Sequence, residues 1–192
     1  MTVTQLLLKV LLSLQAYSGD QEATEAREAR YTLLADAMVS ASEHATCTGT
    51  YADDKTCSVL WTDSSESLQV LLAVEAYKET RFAKRIHAGK CFAKEGECDG
   101  GTARSPWQLH LTGFTPYEVW SKIDKATKES TDLAAWSAAQ VLSYGLKTCG
   151  TKEGAISLYG TGSSCHWEGA KYRVRFFDKL MAQYQGLKKE GD

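Results

Sequence analysis

The stretch Glu66-Ser-Leu-Gln-Val-Leu-Leu-Ala-Val-Glu-Ala-Tyr77 is nearly all apolar, and it decides the fold. A helix that is apolar on most of its faces is stable in water only when other elements cover it. We therefore expect residues 66–77 to form a central helix that is buried on most sides. The predicted fold class is mainly α, a helical domain built around this helix.

Segments on both sides of the central helix also show helical spacing of apolar residues. Residues 4–17 carry leucines at this spacing, and a second pattern runs from Asp20 to Val39. Toward the other end, residues 168–187 form a last amphipathic pattern. Nothing marks a linker, so we expect one domain over residues 1–192, with N-terminal helices in 1–45, a core in 65–165 and a C-terminal helix in 168–187.

Helix start and stop signals divide the second half of the chain. Thr115-Pro116-Tyr117-Glu118 matches a capping box with proline at the first helical position, which predicts a helix to about Ile123. Ser130 or Thr131 is expected to cap the next helix, which ends at Gly150, and Thr151 to open a short helix to Leu158. Residues 83–113 are rich in glycine and charge and have no helical period, so they predict a small irregular or β-containing lobe.

Composition and charge exclude some classes of function. The formal net charge of −2 argues against a nucleic-acid-binding protein, which usually presents a basic face. No apolar stretch is long enough to span a bilayer, since Lys9 interrupts the leucine run of residues 6–12. That run has no basic region before it and no small-x-small site after it, so no export signal is evident. A monomer is expected.

The six cysteines indicate an oxidising compartment. Six cysteines allow many pairings. The pairing of neighbours is attractive because each pair brackets a polar loop: Cys47 with Cys57, Cys91 with Cys98, and Cys149 with Cys165. Zinc is disfavoured, because the chain has no Cys-x-x-Cys and its histidines do not fall at finger-like spacings. The expected location is therefore the periplasm or the cell exterior, where a phage could also deliver the protein.

Three short motifs follow the central helix in order. They read Glu79-Thr80-Arg81-Phe82, Ser105-Pro106-Trp107-Gln108-Leu109 and Tyr159-Gly160-Thr161-Gly162. Each motif alone is weak, since such spacings occur by chance, but the ordered set is more specific. The set resembles the three-part signature of the soluble lytic transglycosylases and goose-type lysozymes. The three parts of that signature are Glu-Ser-x-Phe, Gly-x-x-Gln-x and Tyr-Asn-x-Gly. Thr80, Ser105 and Gly160 depart from that signature, at its serine, glycine and asparagine.

The resemblance implies an α+β lysozyme-like fold and an enzyme that cleaves peptidoglycan glycan strands between N-acetylmuramic acid and N-acetylglucosamine. Glu79 would be the catalytic acid. Such an acid must deliver a proton to the glycosidic oxygen, and burial among apolar groups keeps a carboxyl protonated at neutral pH. We therefore expect Glu79 at the edge of the core beside a cleft. Glu75 lies four residues earlier on the same helix face and is the competing candidate.

The resemblance also implies roles for residues around Glu79. Ser105, Gln108 and Tyr159 would bind substrate, and Trp107 would either stack on a sugar or lie in the core. Asp99 is either a second catalytic acid, as in goose-type lysozymes, or a turn residue that bonds its own backbone. No metal or organic cofactor is implied.

Three alternatives to a lytic transglycosylase stay open at this point. A goose-type muramidase would use Asp99 and water. A binding or inhibitory module would keep the fold without the activity, and a peptide-cleaving enzyme could use the same scaffold.

Overall fold

The computed structural model describes residues 1–44, 63–91, 96–112 and 114–191, and of His44 it describes only the backbone. The described part is mainly helical, as predicted, and contains nine helices. These are α1 (Val3–Ser13), α2 (Thr24–His44), α3 (Ser65–Thr80), α4 (Lys84–His87), α5 (Cys98–Gly101), α6 (Tyr117–Trp120), α7 (Lys128–Cys149), α8 (Lys152–Thr161) and α9 (Glu168–Gly191).

Helix α3 is the predicted central helix. Ser64 caps its first turn by accepting a hydrogen bond from the amide of Ser67 at 3.1 Å. It contacts α1, α2, α7 and α9, and Leu68, Leu71 and Leu72 have no exposed surface. Full burial stabilises the fold by about 1.5–3 kcal/mol per leucine, so these contacts fix the position of α3 and of the residues at its end.

Helix α7 begins earlier than the sequence signals indicated. Thr127 is its N-cap and accepts from the amide of Ser130, so the prediction of Ser130 or Thr131 as the cap is wrong. Both residues are instead buried in the first turn of α7. In the sequence their hydroxyls could not be distinguished from that of a capping residue. Gly150 ends α7 in the left-handed conformation and Thr151 caps α8, as predicted.

The predicted capping box at Thr115 is also wrong. Pro116 occupies the N-cap of α6 and no side chain caps the helix, which ends at Trp120 rather than near Ile123. Thr115 is fully buried and its hydroxyl has no hydrogen-bond partner among the described residues. The extended conformation of Pro116, with ψ near 165°, places it before the helix instead of inside the first turn.

The segment between α3 and α6 forms the small irregular lobe. Its described residues contain two single-turn helices, α4 and α5, and two isolated antiparallel bridges, Arg104 with Leu109 and Thr112 with Thr115. A disulfide between Cys91 and Cys98 closes the start of this lobe.

A second disulfide joins Cys149 at the end of α7 to Cys165 before α9. Two of the three predicted pairs are thus confirmed, and the Cys47–Cys57 pair lies outside the described residues. Disulfides of this kind persist in oxidising compartments. Within the described ranges, no helix is both long enough and apolar enough to cross a membrane.

Candidate functional site

A cavity of about 530 Å³ opens where the end of α3 meets the irregular lobe, α7 and α8. Four of the six predicted site residues line it: Glu79, Asp99, Gln108 and Tyr159. They come from three segments that are far apart in sequence. The remaining lining residues are Leu109, His110, Thr112, Phe114, Thr115, Val141, Tyr144, Leu158, Gly160, Thr161 and Gly162.

Glu79 owes its place at the cavity to the way α3 ends. The Thr80 hydroxyl donates to the carbonyl of Ala76 at 2.9 Å and lies 3.2 Å from the carbonyl of Pro106. Arg81 then takes a left-handed conformation and turns the chain. The Thr80 hydroxyl therefore connects the last turn of α3 to the Ser105–Leu109 turn.

Phe82 anchors the chain immediately after this turn. Its ring is 1% exposed and packs edge-on against Tyr31 of α2, with ring centroids 5.3 Å apart. The Arg30 guanidinium donates to the Phe82 carbonyl at 2.7 Å and is itself paired with Glu22. These contacts hold the end of α3 rigidly, and Glu79 with it.

The surroundings of Glu79 differ from the apolar environment expected for a catalytic acid. Its side chain is 23% exposed, and Oε1 lies 2.6 Å from Nη1 of Arg173 on α9. The expectation of a purely apolar environment is therefore wrong. The carboxyl is instead paired with a guanidinium.

Glu75, one helical turn before Glu79, contacts the same Nη1 atom of Arg173. It has no exposed surface, its Oε1 has no hydrogen-bond partner within the described part of the chain, and it does not line the cavity. Burial raises the pKa of Glu75 to about 7, with Arg173 lowering it and Glu79 raising it. Glu75 is thus too deep to touch a ligand, although it lies one helical turn from a residue that can.

Two of the predicted substrate contacts need correction. Trp107 has no exposed surface and donates from Nε1 to the carbonyl of Leu72 at 3.0 Å. Ser105 is 2% exposed. Neither side chain lines the cavity, because the turn points both of them into the core. Of the two roles open to Trp107, sugar stacking and core packing, the structure selects core packing.

The turn has a left-handed backbone at two positions. Ser105 has φ of 67° and Gln108 has φ of 48°, both in the left-handed region that favours glycine. The resembled signature has glycine where this chain has Ser105. Gln108 donates from Nε2 to the Ser105 carbonyl at 3.0 Å, which braces the turn and leaves the amide at the cavity wall.

Tyr159 closes the cavity from the α8 side. Its hydroxyl donates to the carbonyl of Trp107 at 2.7 Å. Burial, together with the nearby carboxylates of Glu79 and Glu75, raises the pKa of Tyr159 well above its ordinary value. The phenol therefore stays neutral and keeps its hydrogen bond, which links α8 to the turn.

Gly160 stands where the resembled family has asparagine. The ring of Trp167 occupies the position that a side chain at residue 160 would need. A Cβ at Gly160 would lie 2.8 Å from Cζ3 of Trp167, a separation shorter than real contacts. The indole also lies under the Arg173 guanidinium, whose Cζ is 5.1 Å from the ring centroid. The small residue thus lets Trp167 pack against both the rim of the cavity and the arginine that holds Glu79.

Asp99 lies at the outer rim. Its side chain is 74% exposed, and Oδ2 lies 2.9 Å from Nε2 of His110. The backbone at Asp99 is left-handed, with φ of 48°. The Asp99 carbonyl accepts from the Thr102 hydroxyl at 2.8 Å, so the residue is part of a turn and also faces the cavity.

Sequence reasoning missed four residues of the site. Phe114 and Tyr144 form an aromatic wall with ring centroids 4.7 Å apart, and Tyr144 is 42% exposed. His110 follows Gln108 by two residues, so its proximity to that motif was a usable signal. Arg173 is 98 residues from Glu75, and no local pattern in α9 distinguishes it from the helix's other basic residues.

The described residues contain no cluster of three or more histidine, cysteine, aspartate or glutamate side chains that could hold a metal ion. Comparison with known proteins finds no match: no family model fits the chain, and no curated protein or solved structure is significantly similar to it.

Proposed function

We propose that the protein cleaves the glycan strands of bacterial peptidoglycan between N-acetylmuramic acid and N-acetylglucosamine, as a lytic transglycosylase. One observation carries the proposal: Glu79, Gln108 and Tyr159, taken from three separate motifs, line one cavity. Chance motifs spread along a chain of 192 residues have no reason to converge on one surface. The two disulfides support a periplasmic or extracellular location, where this substrate occurs.

Two details of the backbone add support. Ser105 adopts the left-handed conformation at the position where the resembled signature has glycine. Glu79 also lies at the end of a buried central helix and is followed by an anchored Phe82, the arrangement that the resemblance implies. Both features agree with the resemblance in backbone conformation and burial as well as in residue type.

In the proposed reaction Glu79 acts twice. As an acid it donates its proton to the glycosidic oxygen while positive charge builds on the muramic acid sugar and the bond breaks. As a base it then takes the proton of the muramic acid's own primary hydroxyl, whose oxygen bonds to the anomeric carbon to form an anhydro sugar. The proton returns to Glu79, so no water is consumed and no cofactor is needed.

A second candidate, a muramidase that consumes water, is favoured by the position of Asp99. Its carboxylate lies on the same cavity and is oriented by His110 at 2.9 Å. A carboxylate so placed could activate water or shield the sugar cation. The two candidates share Glu79 and differ in the product they leave.

Mass spectrometry of purified peptidoglycan digested by the protein tests the proposal. Disaccharide-peptides with anhydro-muramyl ends are the expected product. Reducing muramyl ends, lost in an Asp99→Asn variant, would establish the muramidase instead. Release of peptides from intact glycan chains would refute both and indicate a peptidase, and binding without any release would indicate a wall-binding module.

A further inference from the structure

We propose that Trp167 forms a second sugar-binding subsite, which binds the glycan strand where it leaves the cavity. This inference rests on the proposed function, because it names a further contact for the same glycan strand. Trp167 belongs to none of the three motifs. It packs against Gly160, a position at which this chain departs from the resembled signature.

The cavity is too small to enclose a long glycan strand. Its volume is about 530 Å³, which lies within the range of about 300–1,000 Å³ for pockets that bind drug-sized ligands. A ligand of that size corresponds to about two sugar rings. Further sugars of a strand must therefore lie outside, against residues at the mouth of the cavity. Gly160 lies at this mouth, because it lines the cavity and is itself exposed.

Two separate contacts connect Trp167 to the cavity. Its ring packs against the backbone of Gly160, where a Cβ would come within 2.8 Å of Cζ3. The Cζ atom of Arg173 lies 5.1 Å from the centroid of the same ring, and Nη1 of Arg173 lies 2.6 Å from Oε1 of Glu79. The indole therefore lies beside the wall of the cavity that α8 and α9 form.

The segment around Trp167 is held firmly, although Trp167 itself is 37% exposed. Two residues earlier, the Cys149–Cys165 disulfide joins this segment to the end of α7. The Trp167 carbonyl accepts from the amide of Ala170 at 2.9 Å, in the first turn of α9. Gly169 gives the ring room, because a Cβ at that position would overlap Cζ2. A ring fixed in this way loses little conformational entropy when a ligand stacks on it.

The exposed indole matches the chemistry of a sugar. A pyranose ring presents C–H groups on its faces and hydroxyls around its edge. Indole offers a large apolar surface together with an N–H donor, so it can contact both kinds of group. The occupant of the subsite is therefore one sugar ring of the strand, beyond the sugars that lie inside the cavity.

Isothermal titration calorimetry with two chitin oligosaccharides tests the inference. Chitotetraose and diacetylchitobiose are the β-1,4-linked tetramer and dimer of N-acetylglucosamine, and they share the backbone of the glycan strand. Trp167→Ala should weaken binding of the tetramer by about fivefold to tenfold, as expected for the loss of one aromatic stacking contact. Binding of the dimer, which fits inside the cavity, should be nearly unchanged.

Tyr117→Ala is the matched control. Tyr117 is 63% exposed on α6 and does not line the cavity, so its replacement should leave both affinities unchanged. A parent protein that binds no tetramer would overturn the inference. An unchanged tetramer affinity in Trp167→Ala, or equal weakening of both oligosaccharides, would overturn it as well.

A Gly160→Ala variant tests the packing on which the argument depends. The new methyl group needs the space that the ring of Trp167 occupies, so it displaces the indole. It should weaken tetramer binding in the parent and have no further effect in a Trp167→Ala background. An equal effect in both backgrounds would overturn the inference, because residue 160 would then act without the ring.

Failure of the subsite and failure of the proposed function give different results. Release of fragments from peptidoglycan, together with an unchanged tetramer affinity in Trp167→Ala, would overturn the subsite alone. A weakened tetramer affinity in a protein that cleaves no peptidoglycan would sustain the subsite and overturn the proposed cleavage. If Trp167→Ala does not fold, the indole NMR signal of Trp167 in the parent decides. This signal should shift with the tetramer and not with the dimer, and an unmoved signal would overturn the subsite.

Discussion

Glu75 makes a specific contribution to how stability depends on pH. The unfolded chain exposes this carboxyl, which then has the ordinary value near 4.5, whereas burial raises the pKa to about 7 in the fold. Between these values the unfolded chain releases a proton that the folded protein keeps. The free energy of unfolding therefore falls as pH rises through this window, and the contribution is constant below and above it.

The magnitude follows from the width of the window. The separation is about 2.5 pH units, and each unit corresponds to about 1.4 kcal/mol, so the folded protein loses about 3–4 kcal/mol from this group between pH 4.5 and 7. Glutamine does not titrate, so a Glu75→Gln variant does not show this fall in the free energy of unfolding. Relative to the parent, the variant should gain about this amount of stability as pH rises.

Urea unfolding followed by tryptophan fluorescence measures this difference. The free energies of unfolding of parent and variant are compared at several pH values from 4 to 8. In the difference between them, the contributions of the other titrating groups cancel. Glu66→Gln serves as a control whose pH dependence has the opposite sign. Lys188 lowers the pKa of Glu66, so the contribution of Glu66 to the free energy of unfolding is lost as pH falls. A parent-to-variant difference for Glu75→Gln that stays constant across the range would refute the reasoning.

Three further expectations follow from the packing. Replacing Cys149 and Cys165 by serine should cost about 3 kcal/mol in the chain-entropy model, measured by urea unfolding. Trp107→Ala should cost about 3–5 kcal/mol, because it leaves a cavity in the core and removes the hydrogen bond from Nε1 to the Leu72 carbonyl, and this should be seen as a lower melting temperature. Tyr144→Ala should weaken glycan binding by about tenfold without lowering that temperature, because its ring is exposed at the cavity.

Hydrophobic pattern predicted the framework well, because burial of apolar area dominates helix packing. The apolar run at residues 66–77 predicted the central helix directly. Gly150 and Thr151 marked the boundary between α7 and α8, Gly150 through its left-handed backbone and Thr151 through its capping hydroxyl. The hydroxyls of Ser130 and Thr131 misled the prediction of a cap, since a buried serine and a capping serine look alike in sequence. Only the tertiary position distinguishes them.

The candidate site was predicted in part, and the omissions have a physical cause. Motifs found Glu79 and Gln108 because each stands at a fixed spacing from its neighbours, Glu79 at the end of α3 and Gln108 in the turn of the irregular lobe. They could not show that Ser105 and Trp107 point inward, since the left-handed backbone at the turn decides this. Arg173 could not be found at all, because an ion pair across 98 residues leaves no local signal.

The most direct test compares the parent protein with Glu79→Gln in release of soluble fragments from purified peptidoglycan. Removal of a general acid typically costs about 100- to 10,000-fold in rate, and we expect a loss of that size with the fold unchanged by circular dichroism. The exposed Glu153→Gln is the matched control and should release fragments at the parent's rate. If Glu79→Gln also released them at that rate, the cavity beside α3 would not be the site of glycan cleavage.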